Sequence, residues 1–313
     1  MTQDFSVYFW GVRGSHPSTG PEFVETGGNT SCVEVRVAGQ RLIFDAGTGL
    51  VPLGEAISAS GDLRPILILL SHYHHDHIQG LPHFSPLYAK DQILHIVAPW
   101  NIFQDRVWDL LTHASSHSAL AERPGLRARR RTMLIEGGER LWWNTESTTP
   151  LQVGSDTGPV PPGWIEIQTY RSHAHPRGGS MCYRVTHNGK SIVFATDTES
   201  YHGADQGLAD FARDSELIIH DAHFTPDEYR HPLYSRQGWG HSTWEMAVEL
   251  ARLANIKQVA LFHHDPSHTD EQMNAIDQAA RAAHPGAFVA REGMHSIIQR
   301  ADPPPVETPE LTP

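Results

Sequence analysis

The chain has little of what extracellular, membrane-spanning or nucleic-acid-coating proteins need. Of its 313 residues only two, Cys32 and Cys182, are cysteine. That is too few for a disulfide framework, and both are expected to be small buried hydrophobes in strands. No apolar run approaches the ~20 residues that span a bilayer; the longest, residues 65–70, reads PILILL. The N-terminal MTQDFSVYFWG has an acidic residue and no basic flank ahead of an apolar stretch, unlike a signal peptide. A cytoplasmic location with no membrane partner is therefore expected. Positive charge is also short, with 24 Lys+Arg against 36 Asp+Glu. The formal net charge of −12 is the opposite of the basic footprint of a dedicated nucleic-acid binder. With 39% hydrophobic and 19% charged residues, what remains is a soluble globular composition, long enough to bury a sizeable core.

Histidine is what the chain has in excess. Its 22 histidines nearly equal Lys and Arg together, and a site that uses neutral imidazoles as ligands would account for part of that number. The chain reads as one α/β domain over residues 1–300 with no dividing linker. A Pro-rich acidic tail, residues 301–313, is expected to be disordered. Strands are predicted at residues 6–10, 31–37, 41–45, 65–70, 95–98, 164–170, 181–186, 191–196, 216–220 and 259–262. Ala38-Gly39-Gln40 and His187-Asn188-Gly189-Lys190 mark hairpins. Helices are predicted at 80–89, 101–114, 208–214, 242–254 and 269–284. The last two would be opened by capping boxes, Ser242 with Glu245 and Thr269 with Gln272. Residues 123–163 look least regular.

The buried strand at 65–70 runs directly into SHYHHDHIQG, in which His72, His74, Asp76 and His77 form H-x-H-x-D-H. In an extended segment His72 and His74 point the same way, so two nitrogens can converge on one cation. A turn after them lets Asp76 and His77 face a second position. Imidazole and carboxylate suit Zn, Mn or Fe rather than Ca or Mg. Three later segments also end or follow predicted strands and could gather at one sheet edge. They place His175 in SHAHPRGGSM, Asp197 in VFATDTES and His263 in VALFHHDP.

Together these motifs resemble the metallo-β-lactamase superfamily over nearly the whole chain, with H-x-H-x-D-H as its most diagnostic element. The resemblance implies an αββα sandwich, two mixed β-sheets face to face with helices outside. It implies two divalent metal ions, Zn first and Mn or Fe as alternatives. His72, His74 and His175 would bind one ion; Asp76, His77 and His263 would bind the other; Asp197 would bridge them. Asp45, in LIFDAGTGL, matches an early aspartate that supports the metal-binding loop. A homodimer is common in the family.

Within that superfamily, GWGHSTWE is similar to the ribonuclease Z and cyclic phosphate phosphodiesterase branch. His241 would stand just before a helix start, where free N–H groups favour an anion, and would hold a phosphate oxygen or protonate a leaving alkoxide. GVRGSHPSTG…GGNTSC also resembles this branch. Its glycines would let the backbone approach the metals, while Asn29, Thr30 and Ser31 either contact substrate or simply form a turn. Arg123, Arg127, Arg129, Arg130 and Arg131 form either a solvated face or a phosphate-gripping element.

The implied reaction is phosphodiester hydrolysis by a metal-activated hydroxide oriented by Asp76 or Asp197, with His241 as acid. A cyclic nucleotide, cyclic phosphate or short oligonucleotide is the expected substrate. RNA is disfavoured by the net charge but stays open through a tRNA 3′-processing endonuclease, as does a lactam, lactone or thioester hydrolase on the same metals. Other histidines, among them His95, His113, His117, His187, His220, His223, His231, His264, His268, His284 and His295, are not assigned to the site. Of these, His223 and His264 are expected nearest it.

Overall fold

A computed structural model describes residues 5–100, 128–154, 158–201 and 203–298. The predicted helix at 101–114, His113, His117, Arg123, Arg127 and the tail from residue 301 lie outside the described residues.

The first sheet is built from β1 (Ser6–Gly11), β2 (Cys32–Val37), β3 (Gln40–Phe44), β4 (Ile66–Leu69), β5 (Ile93–Pro99) and β6 (Arg129–Ile135). The second contains β7 (Arg140–Trp143), β8 (Leu151–Val153), β9 (Ile165–Ser172), β10 (Ser180–His187), β11 (Lys190–Ala195), β12 (Leu217–Asp221), β13 (Gln258–Phe262) and β14 (Ala287–Val289). The chain then returns to the first sheet with β15 (His295–Ile297). Strand orders are β15-β1-β2-β3-β4-β5-β6 and β14-β13-β12-β11-β10-β9-β7-β8. Each sheet is antiparallel on one side and parallel on the other, through β3-β4-β5-β6 and β11-β12-β13-β14.

Period-2 alternation sorts the side chains between layers. In β4, Leu67 and Leu69 enter the core between the sheets while Ile66 and Ile68 face outward. In β11, Ile192 and Phe194 point inward and Val193 and Ala195 outward. Phe44 stacks on Phe194 across the sandwich with ring centroids 5.1 Å apart. Full burial of one such side chain contributes about 1.5–3 kcal/mol. The outer face of the first sheet is covered by α1 (Leu50–Ser60), that of the second by α2 (Gln206–Ala212) and, further along, two longer helices. A short α3 (Pro226–Tyr229) precedes those helices, α4 (Trp244–Leu253) and α5 (Asp270–Ala283). The αββα architecture follows, and none of the helices among the described residues is long and apolar enough to cross a membrane.

Both hairpins form as their sequences dictate. Ala38 and Gly39, like Asn188 and Gly189, have positive φ at both turn positions, which matches the twist of the paired strands. Other elements differ from the sequence reading. Residues 80–89 form two 3₁₀ turns, Leu81–His83 and Ser85–Tyr88, because Pro82 and Pro86 each remove an amide that a continuous helix needs. The stretch 123–163 is not irregular where described, since it carries β6, β7 and β8. Helix α4 is capped by Thr243, whose hydroxyl accepts from Met246 N, and not by Ser242. Ser242 Oγ instead donates to Thr198 O at 2.7 Å, so the Ser242–Glu245 box does not form. The Thr269–Gln272 box does form at α5. Cys32 and Cys182 are free thiols buried in strands.

Candidate metal centre

Strand polarity gathers the functional side chains. Asp45 follows β3, the His72–His77 segment follows β4, His175 follows β9, Asp197 follows β11, Asp221 ends β12 and His263 follows β13. These are carboxyl ends of mutually parallel strands, the end of an α/β sheet where ligands bind. Asp45, Asp197 and His263 have φ of 58°, 55° and 61°. Each strand thus turns through a left-handed residue other than glycine, a conformation that costs about 1–2 kcal/mol and recurs at functional sites. The two sheets are pinned together beside the site by Met181 N donating to Ser71 O and Tyr183 Oη donating to Leu70 O.

All seven predicted ligands converge in two groups. His72, His74, His175 and Asp197 place donor atoms within 4.8 Å of one another, and so do Asp76, His77 and His263. In the first group His74 Nδ1 lies 3.0 Å from His175 Nε2. In the second, His77 Nε2 lies 3.1 Å from His263 Nε2, and Asp76 Oδ2 lies 3.2 Å from both nitrogens. Asp197 reaches both groups. Its Oδ1 is 3.6 Å from His72 Nε2 and 3.7 Å from His175 Nε2, while Oδ2 is 3.3 Å from His77 Nε2 and 3.4 Å from His263 Nε2. His75, the odd histidine of HYHHDH, is exposed on the 3₁₀ turn His75–His77 that reverses the chain.

Chemistry tests whether cations fit. His72 Nε2 is buried without a hydrogen-bond partner, an unfavourable state for a ring nitrogen unless a ligand completes it. Burial, reinforced for His72 by neighbouring imidazoles, holds His72 and His74 below the ordinary range and His175 at about 4. Those rings are neutral at pH 7, as ligands must be. Burial works against the Asp76 and Asp197 carboxylates, yet the surrounding imidazoles keep both ionised. At His77 burial is outweighed by Asp76, Asp197 and Asp45, which call for positive charge there. A cation among these nitrogens supplies that charge. The residues present therefore fit two metal ions.

A supporting layer orients the ligands. Asp45 Oδ2 accepts from His77 Nδ1 at 2.7 Å and from the Ser71 and Ser31 hydroxyls, and its Oδ1 accepts from Ser71 N. This directs His77 Nε2 toward the second group. His175 Nδ1 donates to Gly240 O at 3.1 Å. Ser15 N donates to Asp76 Oδ2 at 2.7 Å. The backbone approaches closely at Gly14, where a Cβ would stand 2.4 Å from His263 Cε1 and 2.9 Å from His223 Nδ1. The buried Arg13 holds that loop by donating to Gly27 O and His268 O. Asn29 turns away to Glu292, and Thr30 Oγ1 accepts from Thr48 N and Gln79 Nε2. In this structure, then, Asn29, Thr30 and Ser31 are engaged in holding loops together.

His241 lies beside the centre, its ring stacked 5.0 Å from His263 and 4.5 Å from His223. Because Thr243 is the cap, His241 stands two residues before it. What fixes the ring is a carboxylate: Nδ1 lies 2.8 Å from Asp221 Oδ2. Burial pulls this imidazole down, but Asp221, Asp197 and Asp76 outweigh it and lift it to about 9. Asp221 was not singled out from the sequence. It accepts from Asp197 N, His223 N and Ser242 N as well as from His241. Its position at the end of β12, equivalent to that of Asp197 after β11, was the available signal. Of the two histidines expected nearby, His223 packs against His241 and donates from Nδ1 to His263 O, whereas His264 points away to Ala290 O.

Arg129, Arg130 and Arg131 open β6, where they pair with Ile93, Leu94 and His95 at the start of β5. The strands are parallel, so these arginines sit at the opposite end of the sheet from the metal loops and form an edge face rather than a grip over the site.

A family model described as a beta-lactamase superfamily domain matches residues 40–264. The ribonuclease Z of Pyrococcus abyssi is 24% identical over 95% of this chain and 97% of its own length. The short form of human tRNase Z covers 94% of this chain and 100% of its own, with 20% identity and a TM-score of 0.61. A diphosphatase from the PhnP family covers 95% and 98%, with 16% identity and a TM-score of 0.60. The two structural likenesses show the fold.

Proposed function

The chain belongs to the beta-lactamase superfamily, and on that premise we propose that it is a metal-dependent phosphodiesterase. His72, His74 and His175 would hold one ion, Asp76, His77 and His263 the other, with Asp197 between them; Zn suits this donor set best, and Mn or Fe also satisfy it. When bound, the ions supply an activated water and neutralise phosphoryl oxygens. Everything else falls to side chains of this chain. Asp197 faces both donor groups through separate oxygens, Oδ1 toward His72 and His175 and Oδ2 toward His77 and His263. Asp76, whose Oδ2 accepts from Ser15 N, or Asp197 would orient the attacking water.

The observation that carries the reading is the Asp221–His241 pair. Nδ1 of His241 is committed to Asp221, so Nε2 is the nitrogen that remains to meet a ligand, and the carboxylate favours the charged ring. A cationic imidazole beside two metal positions can hold a phosphoryl oxygen and protonate a departing alkoxide. A lactam or thioester presents no phosphate for it.

The substrate we infer is a small diester, such as a cyclic nucleotide, a cyclic phosphate or a short oligonucleotide. The net charge of −12 and the remote place of Arg129–131 support that choice over a folded RNA. Full-length likeness to proteins named ribonuclease Z supports a second reading, tRNA 3′-end cleavage. One experiment separates them. Protein purified after Zn, Mn or Fe supplementation is analysed for metal, then assayed on bis(p-nitrophenyl) phosphate, a 2′,3′-cyclic nucleotide, a precursor tRNA, a lactam and a thioester, before and after chelation. Two ions per chain and chelator-sensitive hydrolysis of both diesters are expected, with His241→Ala lowering turnover of the 2′,3′-cyclic nucleotide about 10²–10⁴-fold and that of bis(p-nitrophenyl) phosphate less. Turnover of the lactam or thioester alone overturns the proposal.

A further inference from the structure

One buried carboxylate beside the metal centre holds no cation. Glu199 stands two residues after Asp197 and is 2% exposed. Among the described residues it belongs to none of the groups whose donor atoms gather around a cation position. Burying such a group is costly unless hydrogen-bond donors surround it, and three do. Tyr229 Oη donates to Oε1 at 2.6 Å, Gly238 N to Oε1 at 2.7 Å and Gly240 N to Oε2 at 2.7 Å.

These donors come from the two ends of one loop. Residues 230–240, RHPLYSRQGWG, connect α3 to His241 and are exposed along most of their length. Tyr229 stands at the start and Gly238 and Gly240 at the end, so Glu199 closes the loop as a clasp. Gly238 and Gly240 have φ of 82° and 89°. Glycine has the widest backbone freedom of any residue, so nothing intrinsic to this stretch fixes how it enters the site. Two nearby N–H groups turned to one side make an anion cradle, and here the anion is a side chain of the same protein.

Gly240 is where the clasp meets the chemistry. Its N–H is held by Glu199, its carbonyl accepts from His175 Nδ1 at 3.1 Å, and its neighbour is His241. A Cβ at Gly240 would stand 2.4 Å from His175 Nδ1, which shows how closely the turn is set against that ring. Beyond His241, Ser242 N donates to Asp221 Oδ1 and Ser242 Oγ to Thr198 O. The main chain after His241 is thus fixed by Asp221 and Thr198, and the main chain before it by Glu199. Asp221 also holds Nδ1 of the ring, but a single hydrogen bond leaves an imidazole free to pivot.

We propose that Glu199 is a positioning residue. By holding the 238–240 turn it aims His241 Nε2 at the leaving oxygen, and it keeps Gly240 O on His175 so that this ring turns Nε2 to the cation. It acts through the backbone and touches no substrate. The part that concerns His241 rests on the phosphodiesterase reading; the part that concerns His175 does not.

Glu199→Gln in the full chain tests it. The variant keeps the shape, but whichever way the amide turns, its NH₂ faces one of the two glycine N–H groups. At saturating metal, kcat on a 2′,3′-cyclic nucleotide should fall about 10–100-fold, the scale of a small misplacement of a reacting group. Bis(p-nitrophenyl) phosphate should lose less, and KM should stay within about threefold of wild type. In a His241→Ala background the further loss should be under about threefold. Titration with a competing chelator should show one of the two ions held about tenfold more weakly, because His175 has lost its carbonyl partner. Glu199→Asp, which keeps the charge but is one methylene short of the turn, carries the same tests if the Gln variant does not fold. Equal losses on both diesters, losses that multiply with His241→Ala, or an unchanged kcat overturn the proposal. Unchanged affinity for both ions overturns it too, and does so even if wild type hydrolyses neither diester, a result that by itself sinks only the phosphodiesterase reading.

Discussion

Replacing Asp221 by Asn tests whether Asp221 and His241 act as one unit. The carboxylate accepts from His241 Nδ1 at 2.8 Å, Ser242 N at 2.9 Å, Asp197 N at 3.1 Å and His223 N at 3.2 Å. An amide has one accepting oxygen, so some of these donors then face an NH₂ group. Each buried donor left without a partner costs roughly 1–3 kcal/mol, which for a chain of this size lowers Tm by several degrees. The larger effect is on His241. In the present structure its ring is lifted to about 9 by Asp221, Asp197 and Asp76. Cations seated among the ligands engage Asp197 and Asp76, which leaves Asp221 as the carboxylate that keeps the ring charged. Without it, burial governs and the imidazole drops below its ordinary 6.5, so at pH 7.5 at most about a tenth of the molecules carry the proton. An NH₂ group facing Nδ1 also forces the wrong tautomer. Together these should reduce kcat on an alkyl or nucleoside diester about 10²–10⁴-fold. A p-nitrophenolate, which leaves without a proton, should lose far less. The decisive assay is the cycle of Asp221→Asn, His241→Ala and the double variant at 25 °C, with metal content measured on each. In the His241→Ala background, Asp221→Asn should cost less than about threefold more. If the two losses multiply instead, the residues act separately and the assignment of His241 as an acid held by Asp221 is refuted.

Gly14→Ala should displace His263, because the new Cβ falls 2.4 Å from its ring. Elemental analysis should then show about half the wild-type metal, and full occupancy would mean that the loop gives way instead. His95 governs a pH effect away from the site. It is buried in β5 with Nε2 unpartnered and its ring edge-on to Trp143, and burial, helped by Arg131, holds it at about 4. The unfolded chain takes up this proton near pH 6.5 and the folded chain does not. This share of the stability is therefore present above 6.5 and falls as pH drops toward 4, by about 1–2 kcal/mol between pH 6.5 and 5. His95→Leu should remove that share of the slope in urea titrations at pH 5 and 7, and an unaltered slope would show that other groups carry it.

The features that the sequence determined by itself are local ones. The unbroken apolar run at residues 65–70 specified a strand buried on both faces, because successive side chains in a strand point to opposite sides and here both sides are apolar. Asn188-Gly189 specified its hairpin because few other pairs tolerate two positive φ angles. H-x-H-x-D-H brought four donors together because the groups lie within one turn of chain, and its order with His175, Asp197 and His263 carried the family resemblance. Other features depended on neighbours distant in sequence. His77 and His263 are 186 residues apart yet 3.1 Å apart in space. No periodicity pointed to Asp221, whose partners come from the β11, β12 and α4 loops. Ser242 had the spacing of a cap but bonded to Thr198 in the loop after β11, which left Thr243 to cap the helix. The arginines at 129–131 left a phosphate grip open beside the solvated face until the parallel pairing of β5 and β6 set them at the far end of the sheet. Propensity and spacing act over a few residues, whereas a hydrogen bond or a shared cation goes to whichever groups the packed sheets bring within about 3 Å.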